Sequence, residues 1–372
     1  MIDRPKVIVV AYSARALASS ARRAGLSPLA IDVFGDDDTR EISLASVKLD
    51  GGLSEGLSLD KVAGAIGTLI SEHNPVGLVY GAGFEHQPET SAAIARGIRI
   101  FGNEAETLKR AKDPVALARI CEAGGIRHPA IVFGAPDEPE RWLVKRQGGA
   151  GGAHVARADP VSGGSPDFYY QLRVTGESIS ALFLASEKRT EIIGLTTQWT
   201  APTAASPFRY GGAAGPVDIG PARAEEIARS IDIIASELDL VGLNSADFLV
   251  SADAVWLIEI NPRPGATLDV FESNEVQLFA RHIAACEGHL THASAGFAFK
   301  AVEIVYAPCD IVGPEGQNWP DWMVDRPSPG TRIAIGDPLC TTLASGATVD
   351  LARALASERA RKIIALVQEA EY

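Results

Sequence analysis

The sequence has few cysteines, no long apolar run and no excess of positive charge. Its cysteines, Cys121, Cys286, Cys309 and Cys340, lack CxxC or Cys/His spacing, which argues against a zinc site or a disulfide framework. The apolar stretch at residues 7–12, "VIVVAY", is too short to span a bilayer, and no small-residue cleavage site accompanies it. Neither a membrane span nor a signal peptide is therefore predicted, and we expect a cytoplasmic protein.

The charge balance bears on the class of partner. Lys and Arg number 34 against 47 Asp and Glu, which gives a formal net charge of -13. A nucleic-acid partner would require a basic face, and no segment supplies one. The 372 residues, 46% hydrophobic and 22% charged, suit a globular protein of several compact units. We expect small-molecule partners, with no nucleic acid and no membrane; a homodimer is left open.

Strand and helix patterns alternate along the first hundred residues. The apolar run at 6–12 predicts a strand buried on both faces, and residues 13–25 fit a helix that ends at Gly25. Further segments follow at 28–34 (strand), 58–72 (helix), 77–83 (strand) and 97–102 (strand). This alternation predicts an open parallel sheet whose loops face a cleft.

The pattern changes after residue 104. A helix interrupted by Pro114 is followed by short strands, and a loop is predicted at 158–166. Later segments predict antiparallel strands at 178–200, an amphipathic helix at 221–240 and a closing helix at 349–369. The chain therefore divides into four predicted units, at 1–104, 105–177, 178–295 and 296–372.

Polar side chains gather at the end of a buried strand, "VWLIEINPRP". Residues two apart in a strand share a face, so Glu259, Asn261 and Arg263 are expected to point to the same side. In a hairpin with the preceding strand, a turn centred on Asp253 sets Asp247 opposite Glu259, whereas a two-residue turn places it on the other face. The first register predicts a Mg²⁺ site of two carboxylates and an amide oxygen. The alternative is a solvated strand end.

A glycine-rich segment, "LVKRQGGAGGAHV", follows another apolar strand. Lys145 ends the strand, and Gly148, Gly149, Gly151 and Gly152 follow it. Glycines let backbone N–H groups approach a polyphosphate, and a lysine adds a point charge. Because the lysine precedes the glycines, the segment is not a Walker A loop, and it predicts a lid over phosphates. The plainer alternative is a glycine-rich hairpin with a surface lysine.

In this order along the chain, the lysine strand, the glycine loop and an acidic hairpin ending in E-x-N-x-R resemble the ATP-grasp superfamily of carboxylate–amine ligases. The likeness covers about residues 105–290, and the N-terminal sheet resembles the domain that precedes it in those enzymes. It implies an α/β and α+β ATP-grasp fold with an N-terminal open parallel-sheet domain, a glycine-lid subdomain, a metal-site subdomain and a mainly β C-terminal extension. It also implies an ADP-forming ligase that joins a carboxylate to an amine through an acyl phosphate.

The resemblance assigns ATP and Mg²⁺, with Mn²⁺ as a substitute, to individual residues. Two lysines match nucleotide-binding lysines, the glycines match the phosphate lid, and a four-residue segment matches the backbone that meets adenine. The residues assigned to ATP are Lys112, Lys145, Gly148, Gly149, Gly151, Gly152, Gln171, Leu172, Arg173, Val174 and, as a ribose contact, Glu177. The metal ligands implied are Asp247, Glu259 and Asn261.

Catalytic roles are implied for three cationic residues. Lys145 and Arg263 match groups that neutralise the transferred phosphoryl group, and Arg263 also matches a contact to the substrate carboxylate. Arg209, in "SPFRYGG", is expected to stabilise the acyl phosphate, with an exposed loop arginine as the alternative.

The loops after the predicted N-terminal strands lie at the edge of the sheet where open sheets bind ligands, so they could hold the substrate. A purely structural turn would explain the same residues equally well. Their candidate residues are Ser13, Arg15, Gly81, Gly83, Glu85 and His86. The acidic turn "DVFGDDDTR" is expected to be solvated, with attraction of a cationic substrate group as the alternative.

Narrower likenesses concern the substrate. Segments such as "INPRPGATLDVFE" resemble ATP-grasp proteins of methylotrophic bacteria and tyramine–glutamate ligases, which implies joining an amino acid such as glutamate to an amine in tetrahydromethanopterin or methylofuran biosynthesis. The tail resembles the C-terminal extension of biotin-dependent carboxylases and their purine-pathway relatives. Carboxyphosphate chemistry therefore stays an alternative, as does nucleotide binding without turnover.

Overall fold

The computed structural model describes residues 4–51, 57–85, 87–159, 167–292, 296–315 and 319–369. His86 and residues 160–166 of the predicted loop lie outside these ranges. Within them, no helix combines the length and the apolar character needed to cross a membrane.

The first hundred residues form a parallel sheet packed against helices. Its strands are β1 (Lys6–Val10), β2 (Ser27–Asp32), β3 (Ala45–Lys48) and β4 (Leu78–Tyr80), in the order β3-β2-β1-β4. The helices are α1 (Arg15–Arg23), α2 (Asp37–Ile42), α3 (Leu59–His73) and α4 (Pro88–Ala95). Strand β1 is buried throughout its apolar part because side chains pack on both of its faces. The predicted open parallel sheet is confirmed.

Four details of this unit differ from the prediction. The predicted strand at 97–102 is wrong, because Ile100 makes only a single bridge to Leu78. Strand β3 and helices α2 and α4 were not predicted. All three are short, and β3 is a partly exposed edge strand, so none of them gives a clear periodic signal.

The next segment carries two helices and a small antiparallel sheet, called here the lid sheet. The helices are α5 (Ala105–Lys112) and α6 (Pro114–Gly124), and the strands are β5 (Ile131–Val132), β6 (Trp142–Arg146), β7 (Val155–Arg157) and β8 (Phe168–Leu172). The strand order is β5-β8-β6-β7. Asp113 separates the helices, since its carboxylate caps α6 by accepting from Val115 and Ala116 at 2.8 and 3.2 Å. The predicted interruption at Pro114 is confirmed.

Eight of the described strands form one large sheet in the order β13-β12-β9-β10-β11-β14-β18-β16. Its first strands are β9 (Glu177–Ser186), β10 (Arg189–Thr200), β11 (Tyr210–Gly215), β12 (Gly242–Val250) and β13 (Val255–Asn261). Helices α7 (Pro221–Glu237), α8 (Leu268–Phe271) and α9 (Leu278–Cys286) accompany them. Side chains of α7 and α6 pack with one set of strand residues, while α8 and α9 belong to the core that also contains α1.

The C-terminal tail extends the large sheet. Its elements are β14 (Phe299–Tyr306), β15 (Ile311–Val312), β16 (Met323–Val324), β17 (Arg332–Ile333), β18 (Pro338–Gly346) and α10 (Val349–Glu369). Strand β14 pairs with β11 and with β18, while β15 and β17 form a separate pair. The predicted closing helix at 349–369 is confirmed.

Candidate active site

The register of the β12–β13 hairpin decides which groups meet. The turn pairs Val250 with Val255, so it is not centred where the sequence prediction put it. Continued unchanged, this register would set Asp247 opposite Ile258. A bulge shifts the register between Asp247 and the next residue, which sets Asp247 opposite Glu259 instead. The predicted pairing is therefore confirmed, but a bulge rather than the turn produces it.

Asp247 and Glu259, called here the carboxylate pair, belong to one hydrogen-bond network. The Asn261 amide nitrogen donates to Asp247 Oδ2 at 2.9 Å and to Glu259 Oε1 at 3.3 Å. Lys112, the last residue of α5, donates from Nζ to Asn261 Oδ1 at 2.8 Å. The same Nζ lies 4.0 Å from Glu259 Oε2. Two carboxylates, an amide and a lysine therefore converge at the exit of β13.

Lys145 brings a second positive charge to this network. Its side chain is buried, and burial lowers its pKa while Glu259 opposes that shift. Burial and the neighbouring Glu259 together raise the pKa of Asp247. Burial also works against ionisation of Glu259, yet Lys112 and Lys145 hold its pKa below the ordinary value. Two largely buried cations thus face two half-buried carboxylates, where charges interact more strongly than in bulk water.

The carboxylate pair fits a divalent ion that needs few protein ligands. In the described part of the chain, no three histidine, cysteine, aspartate or glutamate side chains converge as metal ligands. A metal here would therefore use Asp247, Glu259 and the Asn261 amide oxygen, and complete its shell with water and phosphate. This donor set suits Mg²⁺. The amide nitrogen now faces the carboxylates, and a flip of the amide would present its oxygen.

The predicted glycine loop joins β6 to β7 within the lid sheet. Gly148, Gly151 and Gly152 have φ values of 69°, 69° and 73°, in the left-handed region that favours glycine. A Cβ atom on Gly152 would lie 2.0 Å from the Phe208 carbonyl oxygen. Tyr210 N–H donates to the Gly151 carbonyl at 3.0 Å. The loop therefore packs against the segment that leads into β11, and Gly152 is required at this contact.

A pocket lies between this loop and Glu259. Sequence reasoning missed four of the polar residues that line it: His128, Arg146, His154 and Tyr169. His154 had a signal in the sequence, since it comes two residues after Gly152, whereas Tyr169 is brought opposite Lys145 by the register of β6 and β8. The polar and glycine residues that line the pocket are Lys112, His128, Arg146, Gly148, Gly149, His154, Tyr169 and Glu259. Burial lowers the pKa of His154 to about 4, so the pocket gains no further positive charge from it.

The predicted adenine segment, residues 171–174, connects the lid sheet to the large sheet. Gln171 is buried at the end of β8. The N–H groups of Leu172 and Arg173 each donate at 2.8 Å to carbonyls that precede β5 and β6. These two N–H groups are therefore already hydrogen-bonded within the lid sheet. Glu177 is exposed at the start of β9.

Arg263 meets a loop of the N-terminal sheet. Its Nε donates to Glu85 Oε1 at 2.7 Å, and both side chains are buried. Glu85 Oε2 accepts from Gly83 N–H at 2.7 Å. Although burial opposes ionisation, the Arg263 charge holds the pKa of Glu85 below its ordinary value. The loop after β4, a predicted substrate loop, thus reaches the exit of β13.

Arg209 has other partners. Its Nε donates to the Ala201 carbonyl at 2.9 Å and its Nη1 to the Gly336 carbonyl at 2.8 Å. The guanidinium carbon lies 3.5 Å from the centre of the Tyr306 ring. These contacts tie the segment before β11 to the C-terminal tail. None of the described hydrogen bonds or ion pairs joins Arg209 to the carboxylate pair.

A glycine loop, two lysines and an acidic hairpin on antiparallel sheets, preceded by an open parallel sheet, define an ATP-grasp fold. Residues 113–267 match the ATP-grasp domain family, so the chain contains an ATP-grasp domain. No curated protein matches the chain by sequence. The predicted resemblance to the ATP-grasp superfamily is confirmed at the level of domain and fold, while the narrower likeness to methylotroph proteins stays a prediction.

Solved structures share this fold at low sequence identity. The biotin carboxylase domain dimer of Hydrogenobacter thermophilus 2-oxoglutarate carboxylase, crystallised with MgADP, ADP and bicarbonate, is 13% identical with a TM-score of 0.69, covering 92% of this chain and 86% of that one. An L-amino acid ligase from Bacillus licheniformis is 14% identical with a TM-score of 0.69, and the match covers 96% of this chain and 97% of that one. N5-carboxyaminoimidazole synthetase from Staphylococcus aureus, complexed with ADP, is 12% identical with a TM-score of 0.67, and the match covers 96% of this chain and 97% of that one.

Proposed function

We propose that this chain is an ATP-dependent, ADP-forming ligase that joins a carboxylate to an amine. The observation that carries the proposal is the convergence of Lys112, Asn261 and the carboxylate pair beneath a glycine loop, with Lys145 buried beside them. This arrangement supplies the positive charge and backbone donors that a triphosphate requires.

Asp247, Glu259 and Asn261 are the residues that would hold Mg²⁺, or Mn²⁺ in its place. A bound divalent ion would neutralise charge on the phosphate oxygens. Lys112 and Lys145 add to that neutralisation from the protein itself. The glycine loop lies over the same pocket and would keep water from the reacting groups.

The chemistry needs no acid–base pair for its first step. A substrate carboxylate oxygen attacks the γ-phosphorus of ATP, and ADP leaves with the bridging oxygen. The amine nitrogen then attacks the carbonyl carbon of the acyl phosphate, loses a proton, and displaces inorganic phosphate. Arg263, positioned by Glu85, is proposed to hold the substrate carboxylate and then the phosphoryl group.

For the substrates, we propose an amino acid such as glutamate and a small amine, in the biosynthesis of a one-carbon cofactor such as tetrahydromethanopterin or methylofuran. The support for this finer proposal is the resemblance of "INPRPGATLDVFE" and related segments to methylotroph ATP-grasp proteins.

A carboxyphosphate-forming enzyme is the second candidate. It is favoured by β14 and β18, which extend the large sheet with the tail, and by the fold shared with a carboxylase domain crystallised with bicarbonate. Bicarbonate would then replace the amino acid as the group that attacks ATP. A nucleotide-binding protein without turnover is the third candidate.

ADP release by the purified full-length chain tests these candidates. The protein is supplied with ATP, Mg²⁺ and, in separate reactions, glutamate with a panel of amines or bicarbonate alone. Release that requires both glutamate and an amine, with an amide product found by mass spectrometry, supports the ligase. Release with bicarbonate alone favours the carboxylase-like enzyme, and tight ATP binding without release in any reaction favours the third candidate.

A further inference from the structure

A buried asparagine, Asn103, lies where the N-terminal unit (residues 1–104) meets helix α5. It immediately precedes the N-cap residue of α5, and it is only 2% exposed. Its backbone carbonyl accepts from the Tyr80 hydroxyl at 2.6 Å, and Tyr80 is the last residue of β4. The backbone of Asn103 is therefore anchored to the parallel sheet.

The side chain of Asn103 is bonded to residues outside the N-terminal unit. Its Nδ2 donates to Asn244 Oδ1 at 2.7 Å and to the Pro262 carbonyl at 2.9 Å. Its Oδ1 accepts from the Val241 N–H at 2.8 Å. An amide flip would bring its oxygen against the Pro262 carbonyl and its nitrogen against the Val241 N–H. These partners therefore fix the orientation of the amide.

Pro262 lies between two residues of the proposed active site. Asn261 before it belongs to the network of the carboxylate pair, and Arg263 after it pairs with Glu85. Proline has no N–H, so the carbonyl is the only backbone hydrogen-bonding group of Pro262. Asn103 occupies that group and thereby holds the chain at the exit of β13.

Asn103 also precedes the helix that ends at Lys112. That helix, α5, has 8 residues, so it spans about 12 Å at about 1.5 Å per residue. Lys112 Nζ donates to Asn261 Oδ1 at 2.8 Å. A closed path thus runs from Asn103 along α5 to Lys112, across to Asn261, and back through Pro262. Loss of the bond to Pro262 would open this path and let Asn261 move relative to Lys112.

Other contacts of the N-terminal unit go elsewhere. Ser13 and Arg15 donate to Asp325 at 3.1 and 3.0 Å, and Arg15 also donates to Asp269 at 2.9 Å. These bonds hold the tail and α8. Within the described residues, the hydrogen bonds from the N-terminal unit to residues 259–264 come from Asn103 and Glu85.

We propose that Asn103 is a positioning residue of the active site, which acts through the Pro262 carbonyl to hold Asn261 in place as a metal ligand. The inference rests on the proposed function. Replacing a residue that orients a metal ligand typically lowers metal affinity by roughly 10- to 100-fold. The group oriented here is the Asn261 amide, which donates to both carboxylates and accepts from Lys112.

The test measures the affinity of the full-length chain for a fluorescent ATP analogue with and without Mg²⁺. The readout is the dissociation constant without Mg²⁺ divided by that with Mg²⁺, called here the Mg²⁺ ratio. Asn103→Asp keeps an acceptor for the Val241 N–H but turns an oxygen toward the Pro262 carbonyl. We expect this variant to lower the Mg²⁺ ratio about tenfold. Asn103→Ala, which adds no buried charge, gives the same comparison where Asn103→Asp does not fold.

Asn244→Ala is the matched control. It removes the other acceptor of the Asn103 amide and leaves the bond to Pro262 in place. Each of these variants loses buried hydrogen bonds, so the thermal midpoint should fall in all of them. The Mg²⁺ ratio should fall only in the Asn103 variants, which separates positioning from a general loss of stability. Affinities are measured well below the lowest midpoint.

A double-mutant cycle tests the route through Asn261. In the background of Asn261→Ala, the Asn103 replacement should cause no further fall in the Mg²⁺ ratio, because the residue it positions is already lost. Additive losses in the double variant would show that Asn103 acts by another route, and they would overturn the proposal.

A wild-type Mg²⁺ ratio in the Asn103 variants, or an equal loss in Asn244→Ala, would also overturn it. Failure of the proposed function gives different results. A wild-type chain whose nucleotide affinity does not respond to Mg²⁺ would remove the proposed metal site and this inference together. A chain that shows the Asn103-dependent Mg²⁺ ratio but releases no ADP with any substrate would remove the ligase function and keep the positioning role.

Discussion

Replacing Glu259 with glutamine removes one charge from the carboxylate pair and keeps the side-chain shape. Lys112 Nζ lies 4.0 Å from Glu259 Oε2. At that distance two unit charges interact by about 4 kcal/mol for an effective dielectric constant of about 20. A divalent ion held by the carboxylate pair would lose an attraction of the same order to Glu259, about 4 kcal/mol, when it stabilises charge on the phosphate oxygens. At about 1.4 kcal/mol per factor of ten, we therefore expect kcat/KM to fall by about a thousandfold.

The assay for Glu259→Gln couples ADP release to NADH oxidation, using the substrate pair that supports wild-type turnover. A second readout is the Mg²⁺ dependence of the affinity for a fluorescent ATP analogue, which we expect to disappear in the variant. The matched control is Glu225→Gln, which makes the same change on the exposed face of α7. The thermal midpoint should stay within a few degrees of wild type, since the variant relieves repulsion with Asp247 as it loses attraction to Lys112.

Wild-type turnover in Glu259→Gln, or an unchanged Mg²⁺ dependence of nucleotide binding, would refute the assignment of the carboxylate pair. A loss of the same size in Glu225→Gln would point to a general effect of charge instead.

Three further predictions concern other parts of the chain. Gly152→Ala is expected to raise the KM for ATP at least tenfold because its Cβ would meet a carbonyl oxygen at 2.0 Å, whereas Gly134→Ala, which meets nothing within 4 Å, should leave that KM unchanged. Glu85→Gln leaves Arg263 buried without a charged partner, so urea unfolding should show a loss of about 3 kcal/mol, and a loss below 1 kcal/mol would contradict the pairing. Burial raises the folded-state pKa of Asp36 to about 9, above the unfolded value of 3.8, so its contribution to stability is present at low pH and is lost as pH rises towards 9. The thermal midpoint should therefore fall between pH 7 and 9, and an equal fall in Asp36→Asn would contradict this.

Hydrophobic periodicity was sufficient to predict the long helices and strands. The closing helix at 349–369 and the strands at 178–200 were predictable because their patterns run over many residues. The order of the lysine, glycine and acidic motifs also predicted the fold. Short elements such as β3 gave no comparable signal.

Contacts between distant parts of the chain could not be predicted. The bulge at Ile258 lies in a continuous apolar run, so no residue type marks the register shift. Arg263 and Glu85 are 178 positions apart, and no local pattern connects them.

The acidic turn after β2 illustrates the same limit. The expectation that it is solvated is wrong for Asp36 and Asp38, which are buried. The part of the tail around Asp325 covers this turn, since Asp38 accepts a hydrogen bond from the Asp325 N–H. The two residues lie 287 positions apart in the sequence. Composition alone makes such a segment resemble a surface turn.

The position of β14 has a practical consequence for anyone who shortens this protein. Phe299–Tyr306 is hydrogen-bonded to β11 on one side and to β18 on the other, so the tail supplies an interior strand. A fragment that stopped before residue 299 would leave the backbone of β11 open to pairing with other molecules. Truncation there should yield aggregates rather than a smaller working unit.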